Sequence, residues 1–236
     1  DHVDMYMMHA VNADTWKTVR DLDCFSFLER AKADGRIRYA GFSFHDNITV
    51  FKEMVDHYNW DFCQIQYNFM DVDFQAGRAG LEYAAERGLG IVIMEPLRGG
   101  ALTANLPEAI TDSFAESGLR HSPAEWALKW LFDDPRISVV LSGMSAMEHV
   151  TENLRVSAAA GAGSMTDKER KVMNQVQAIF RQRMKVPCTT CGYCMPCPAG
   201  VEIPKNFSMY NSFHMMGEKF HDATRFMYFA QVADTA

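Results

Sequence analysis

The feature that most constrains the fold of this chain is an alternation of short apolar runs with segments of helical period over roughly its first 155 residues. The apolar runs are rich in Ile, Val, Phe or Tyr and are followed by Gly, Pro, Asn or Asp. They are Val3–Met8, Tyr39–Phe44, Phe62–Tyr67, Gly90–Met94 and Ser138–Leu141. Runs of this length and composition are typical of buried parallel strands.

The segments between these runs are predicted to be amphipathic helices. Apolar residues recur at three- and four-residue spacing in "DCFSFLERAKADG", "ITVFKEMVDHY", "AGRAGLEYAAERG" and "SPAEWALKWLFDDP". Ser122 and Glu125 form a predicted capping box, and Gly35 and Gly88 stand where helices should end. Alternating strands and helices predict a parallel α/β sheet with right-handed crossovers. The pattern alone leaves open a doubly wound sheet and a section of an eight-stranded barrel.

The chain changes character after about residue 160, and we expect two domains, residues 1–160 and 161–236. A small-residue linker, "AAAGAGS", leads into a long helix that opens with a second capping box at Thr166 and Glu169. A cysteine-rich run and an aromatic, helical segment follow. The second domain is therefore predicted to be small and all-α. The chain opens without Met and ends without an evident terminal element, so we expect a fragment of a longer protein.

The charge distribution and the cysteine pattern indicate the cellular compartment and exclude some classes of binding partner. The net charge of -7 is spread over both signs with no basic block, which argues against nucleic-acid and membrane-surface partners. No apolar run approaches the length of a membrane span, and no signal peptide is present. Four of the six cysteines are clustered rather than dispersed like a disulfide framework. These features predict a cytoplasmic protein.

The clustered cysteines, Cys188, Cys191, Cys194 and Cys197, read C-x2-C-x2-C-x2-C-P. Closely spaced thiolates on a turn can ligate an iron–sulfur cluster. The run resembles the bacterial ferredoxin signature, from which it departs by one residue in the last gap. That resemblance implies a 4Fe-4S cluster, completed either by Cys197 or by a second run beyond residue 236. Structural zinc, which usually takes two well-separated knuckles, and unligated thiols are the alternatives.

The α/β part resembles the aldo-keto reductases. In chain order, "DMYMMHAVN", "FLERAKADGRIRYAGFSF", "FCQIQYN", "GIVIMEPLRGGAL" and "ISVVLSGMSAMEHVTENL" are similar to strands four to eight of that family and the segments that follow them. The resemblance implies part of a (β/α)8 TIM barrel, about strands 4 to 8, followed by a small all-α iron–sulfur domain. The subgroup with a C-terminal 4Fe-4S domain is the best match. Such barrels carry their sites at the carboxyl ends of the strands.

The resemblance also implies an NAD(P)(H) cofactor, a small carbonyl substrate and a set of site residues. His9 matches the catalytic histidine, which hydrogen-bonds the substrate carbonyl. The matching cofactor residues are Ser43 and Gln64 at the nicotinamide carboxamide, Glu95, Pro96, Leu97 and Arg98 along the pyrophosphate, and Gly143, Glu152 and Asn153 at the adenosine. Phe44 replaces an asparagine of the family, and His45 is the candidate substitute. His149 stands where many members of the family have an arginine for the 2′-phosphate of NADP. The preference for NAD or NADP therefore stays open.

The family's catalytic Asp, Tyr and Lys belong to the first three strands, which this chain does not match. The chain alone is therefore expected to lack the proton donor and to be inactive. We expect a reductase whose carbonyl chemistry is coupled to, or accompanied by, a 4Fe-4S cluster that exchanges electrons with a redox carrier. The alternatives are an electron-transfer or docking module without its own carbonyl reduction, and a non-redox barrel with a structural zinc tail. Strand-end capping is the alternative role for Ser43 and Gln64.

Overall fold

A computed structural model describes residues 1–188, 193–216 and 221–231 of the chain. Its sheet is built from β1 (Val3–Val11), β2 (Ile37–Phe44), β3 (Phe62–Gln66), β4 (Gly90–Met94) and β5 (Val139–Val140). Neighbouring strands are parallel, and their order in the sheet follows their order in the sequence. All five predicted strands are confirmed. The first extends three residues further than predicted.

The helices of the described part alternate with these strands and then continue without them. They are α1 (Ala13–Asp21), α2 (Cys24–Ala33), α3 (Ile48–His57), α4 (Gly77–Glu86), α5 (Glu108–Glu116), α6 (Pro123–Phe132), α7 (Met147–Ala159), α8 (Asp167–Arg183), α9 (Ile203–Met215) and α10 (His221–Gln231). The protein is therefore an α/β protein with a parallel sheet, as predicted. A doubly wound sheet reverses its strand order at a switch point, whereas the sequential order seen here is that of a barrel section.

Helix ends follow the predicted signals with one exception. Gly35 and Gly88 adopt positive φ angles of 69° and 76° directly after α2 and α4, as C-terminal stops do. Thr166 and Glu169 form the expected reciprocal capping box at the start of α8. At α6 the Ser122 hydroxyl accepts from the Glu125 N–H at 3.0 Å, but the Glu125 carboxylate pairs with His121 and Arg155 instead. An available cation outcompetes the backbone N–H, so the predicted box at Ser122 is only half formed.

One face of the sheet supplies most of the core around it. Side chains that alternate along the central strands are almost completely buried: Ala40, Phe42, Phe44, Cys63, Ile65, Ile91 and Ile93. Phe44 makes edge-on contacts with Phe42 and with Phe51 of α3, and the Phe42 and Phe51 rings pack at a tilt, which ties this helix to the sheet. The residues between them on the strands, among them Ser43, Gln64 and Gln66, belong to the other face.

The chain divides into two compact units that interleave along the sequence. The first comprises Asp1–Pro96, Leu131–Ser145 and Gly161–Gly163 and contains the whole sheet. The second comprises Leu97–Trp130, Ala146–Ala160 and Ser164–Ala236, and its described elements are helical. A domain boundary at residue 160 stays a prediction, as does the iron–sulfur nature of the helical part. Within the described residues, no helix is both long and apolar enough to cross a membrane.

Candidate active site

His9 lies near the carboxyl end of β1, at a bulge that changes the direction of the strand. The pairing of β1 with β2 shifts register between Met8 and Val11, and Ala10 adopts a left-handed φ of 53°. The Ala10 N–H, displaced from the ladder, donates to the Ser43 hydroxyl at 2.7 Å. Bulges of this kind re-aim side chains and are frequent next to active sites. The exposed His9 side chain is thus held at the strand edge by a defined backbone irregularity.

His45 follows β2 and lies close enough to His9 and Glu95 for their charges to act on it. Its N–H donates to the Val11 carbonyl at 2.9 Å, which fixes it beside the end of β1. Partial burial, and then the neighbouring His9, lower the pKa of His45, while Glu95 opposes the shift. Two imidazoles and a carboxylate therefore lie near one another at the carboxyl ends of β1, β2 and β4. Sequence reasoning had singled out His9 and Glu95 and had named His45 only as a substitute for a missing asparagine.

Glu95 adopts a left-handed conformation, with φ 54°, immediately after β4. Its carbonyl accepts a hydrogen bond at 3.0 Å from the side-chain amide of Asn68, which is completely buried. The same amide donates to Asp71 at 2.9 Å, and Asp71 also accepts from Gln66 at 3.0 Å. This network holds the strained backbone of Glu95 in place. Sequence analysis did not identify Asn68, although an Asn-x-x-Asp pattern just after a strand is a signal for such a turn.

Ser43 and Gln64 are register partners on β2 and β3, so their side chains project from neighbouring positions of one sheet face. Ser43 is completely buried, and its oxygen is engaged by Ala10. The Gln64 amide donates to the Met94 sulfur at 3.4 Å and remains partly accessible. The Ser43 contact is the strand-end role that was the alternative for this residue. A nicotinamide contact of Ser43 or Gln64 stays a prediction.

The remaining predicted cofactor residues divide between the two units. Glu95, buried Pro96 and exposed Gly143 belong to the first, whereas Leu97, Arg98, Glu152 and Asn153 belong to the second. Within the second unit, the Arg98 guanidinium donates to the Ser212 hydroxyl of α9 at 3.1 Å. Glu152 lines an open depression of about 390 Å³ along α7 together with Arg155.

A family model identifies the chain. The model for the aldo/keto reductase family matches residues 1–165, which contain the whole sheet and the His9 site. The chain belongs to the aldo/keto reductase family.

Relatives and solved structures agree with this assignment. An uncharacterized oxidoreductase of Schizosaccharomyces pombe is 26% identical over 157 residues, which cover 66% of this chain and 47% of that protein. An uncharacterized oxidoreductase of Bacillus subtilis, YqkF, is 24% identical over 195 residues, covering 73% and 60%. This aldo/keto reductase chain thus spans about half to three fifths of the length of these relatives.

Solved aldo-keto reductases share the fold at low sequence identity. The holo form of a Bacillus halodurans aldo-keto reductase superposes with a TM-score of 0.57 at 22% identity, covering 75% of this chain and 59% of that one. A Klebsiella pneumoniae aldo-keto reductase, solved in complex with NADPH, gives a TM-score of 0.53 at 19% identity, with the same two coverages. These likenesses support the parallel α/β sheet as part of the family's fold.

The cysteine run of this chain is only partly described. Cys191 lies outside the described residues, Cys188 and Cys197 are partly accessible, and Cys194 is exposed. Within the described ranges, no three His, Cys, Asp or Glu side chains are grouped so as to hold a metal ion. The four thiols are chemically suited to an iron–sulfur cluster. The geometry of the described part does not assemble such a site, so the cluster stays a prediction.

Proposed function

We propose that this chain carries the carbonyl-binding and nicotinamide-binding part of an NAD(P)H-dependent aldo/keto reductase. The observation that supports this most directly is the grouping of His9, His45 and Glu95 at the carboxyl ends of three parallel strands. Ligand and catalytic sites of α/β barrels lie at this end. The substrate is a small carbonyl compound.

His9 is the group that we assign to the substrate carbonyl. An imidazole N–H that donates to the carbonyl oxygen stabilises the negative charge that develops there during reduction. The nicotinamide, when bound, supplies the hydride. Partial burial and the neighbouring His9 lower the pKa of His45, which favours the neutral form of its imidazole.

The accessible groups at this edge fit a nicotinamide cofactor in part. Gln64 offers a partly accessible amide, and Glu95 and Pro96 continue from the end of β4. Ser43 contributes indirectly, because its buried hydroxyl oxygen positions the bulge that carries His9. From the family resemblance, Leu97 and Arg98 are proposed for the pyrophosphate part of the cofactor, and Gly143, Glu152 and Asn153 for the adenosine part.

The decisive experiment is a titration of the purified chain with NADPH and with NADH, followed by cofactor fluorescence. We expect saturable binding that Gln64→Leu weakens about tenfold, since loss of a cofactor hydrogen bond in a closed site costs about 1.4 kcal/mol. The matched control, Gln175→Leu on an exposed position of α8, should leave binding unchanged. Absence of binding by either nucleotide would contradict the proposal and favour a docking module without carbonyl reduction. Aldehyde reduction by this chain alone is expected to be absent.

We further propose that Cys188, Cys191, Cys194 and Cys197 hold a 4Fe-4S cluster that exchanges electrons with a redox carrier. The support is the chemistry of the donor set, four thiols within ten residues. Protein purified without oxygen should contain about four iron and four sulfide per chain. Each Cys→Ser variant should lose most of this content, whereas Cys24→Ser should not. Stoichiometric zinc without sulfide would instead establish the structural zinc tail.

A further inference from the structure

A second cavity lies in the helical unit, and none of the residues assigned above to the carbonyl or the nicotinamide cofactor lines it. It occupies about 590 Å³ between α9 and α10, with Val186 contributing to its wall. Pockets of about 300 to 1,000 Å³ are the usual size for small organic ligands. Its volume therefore suits a molecule of two to three fused rings.

Aromatic side chains dominate the lining of this cavity. Five rings surround it, contributed by Phe207, Tyr210 and Phe213 of α9 and by Tyr228 and Phe229 of α10. Phe229 is 70% exposed and Tyr210 is 50% exposed, so these rings present open surface to an occupant. Flat aromatic molecules gain from stacked and edge-on contacts with such rings beyond the burial of their area.

The polar groups of the cavity favour an anion. Arg225 of α10 is part of the lining, and among the described residues no carboxylate forms an ion pair with it. The other polar groups there are the neutral side chains of Asn206 and Thr224 and the Tyr hydroxyls. A guanidinium pairs well with phosphate or carboxylate groups, in bidentate geometry where the ligand allows it.

The wall of the cavity is anchored before any ligand binds. The buried Asn211 side chain accepts from the N–H groups of Lys185 and Val186 at 3.0 and 2.9 Å and donates to the Val186 carbonyl at 2.7 Å. The rings of Phe213 and His221 stack with centroids 3.8 Å apart, which joins α9 to the start of α10. A preorganised site loses less free energy on binding than one that must be ordered by its ligand.

We propose that this cavity is a binding site for a planar aromatic anion, with the rings holding the fused ring system and Arg225 holding its phosphate or carboxylate. This inference is independent of the proposed reductase function, since it uses no residue of that site. Flavin mononucleotide is a suitable probe, because it combines a three-ring planar system with a phosphate group. Riboflavin carries the same rings without the charge, and inorganic phosphate carries the charge without the rings.

The test is a fluorescence-quenching titration of the full chain with the two flavins, in which inorganic phosphate is added as a competitor. We expect one flavin mononucleotide per chain, riboflavin at least about tenfold weaker, and phosphate weaker still, because each lacks one of the two interactions. Excess NADH should not displace the bound probe. Equal affinity for flavin mononucleotide and riboflavin would overturn the role of Arg225, and absence of saturable binding would overturn the site.

Matched variants locate the binding to this cavity. Phe226 and Phe229 lie on the same helix and are 72% and 70% exposed, but only Phe229 lines the cavity. Phe229→Ala is expected to weaken the probe about tenfold and Phe226→Ala to leave it unchanged. Arg225→Gln should weaken flavin mononucleotide to the level of riboflavin, whereas Arg181→Gln, at an exposed position of α8, should have no effect.

The aromatic surface has one competing occupant, a second copy of the chain. Sedimentation analysis of the same variants separates the two cases. A dimer that Phe229→Ala dissociates, without saturable probe binding, would overturn the proposal in favour of self-association. Equal losses of binding in Phe226→Ala and Phe229→Ala would also overturn it, because they would place the probe outside the cavity.

Discussion

At the scale of single residues, Ser43 illustrates how a side chain at a cofactor position can act through the backbone. Its hydroxyl oxygen accepts a hydrogen bond from the Ala10 N–H, at the point where the pairing of β1 with β2 shifts register. The positive φ of Ala10 turns the strand there, and His9 is the residue immediately before it. The geometry of the catalytic candidate therefore depends on a hydrogen bond made by the neighbouring strand.

Ser43→Ala is expected to destabilise the protein by about 1 to 3 kcal/mol, because it leaves the part-buried Ala10 N–H without its partner. Urea unfolding measures this loss. The chemical shift of the His9 ring in an NMR titration should change as well, since the bulge relaxes. Ser145→Ala, at an exposed position of the same unit, is the control and should shift stability by less than about 0.5 kcal/mol. An unchanged His9 signal in Ser43→Ala would contradict the positioning role.

At the scale of elements, Glu169 connects two helices of the second unit, α6 and α8. One carboxylate oxygen caps α8 through Thr166, and the other contacts Lys129 of α6 and His121, which precedes α6, at 3.0 Å from its Nε2. Burial by itself raises the pKa of Glu169, but the Lys129 ammonium and the Thr166 donors outweigh it and hold that pKa at about 2. Glu169, which the sequence predicted only as a capping residue of α8, thus also links α6 to α8.

Glu169→Gln is expected to lower the free energy of unfolding at neutral pH by about 2 to 3 kcal/mol, since it leaves Lys129 and His121 facing a neutral amide. A carboxyl with a depressed folded pKa stabilises above its unfolded pKa, and this contribution is lost as the pH falls toward the folded value. The wild type should therefore lose stability between about pH 4.5 and pH 2, and the variant should show a flatter decline. Glu116→Gln, at an exposed position of α5, should retain the wild-type profile.

The turn before α4 depends on a glycine for two separate reasons. Gly77 has a φ of +53°, and a Cβ at this position would lie 2.7 Å from the Val72 carbonyl oxygen. Gly88, which ends the same helix, has a φ of +76° but open space around it. Gly77→Ala should therefore destabilise by at least about 1 kcal/mol more than Gly88→Ala, which carries only the cost of a left-handed alanine. If thermal unfolding shows that Gly77→Ala and Gly88→Ala lose equal stability, the steric explanation for Gly77 is contradicted.

At the scale of the whole chain, the cysteine run is tied into the second unit from its upstream side. Asn211 of α9 makes three hydrogen bonds to the backbone of Lys185 and Val186, two residues before Cys188. The Arg183 side chain adds a bond to the Met215 carbonyl at 3.1 Å. Both contacts join the end of α8 to α9, so the segment that leads into the cysteines is positioned by a helix that follows them.

Asn211→Ala is expected to destabilise the second unit by about 3 kcal/mol, because two N–H groups and a carbonyl lose their partner at roughly 1 kcal/mol each. It should also increase the rate at which iodoacetamide labels Cys188 in protein free of metal. Asn174→Ala, at an exposed position of α8, introduces the same change without such contacts. It should leave stability at or slightly above the wild-type value and the labelling rate of Cys188 unchanged. An unchanged labelling rate in Asn211→Ala would contradict the proposal that the Asn211 hydrogen bonds position the segment before Cys188.

The sequence alone predicted the strands, most of the helices between them and the α/β class, because these depend on apolar periodicity and local helix-end signals. The family was predicted from the resemblance of five segments, in chain order, to the aldo-keto reductases. The sequence analysis did not predict α1 or α5, although both helices are amphipathic, or the half-formed capping box at Glu125. Only the tertiary structure decided the bulge beside His9, the left-handed Glu95 held by Asn68, the approach of His45 to both, and the interleaving of the two units. These features depend on partners distant in the sequence, and the pattern of a single segment contains no record of such partners.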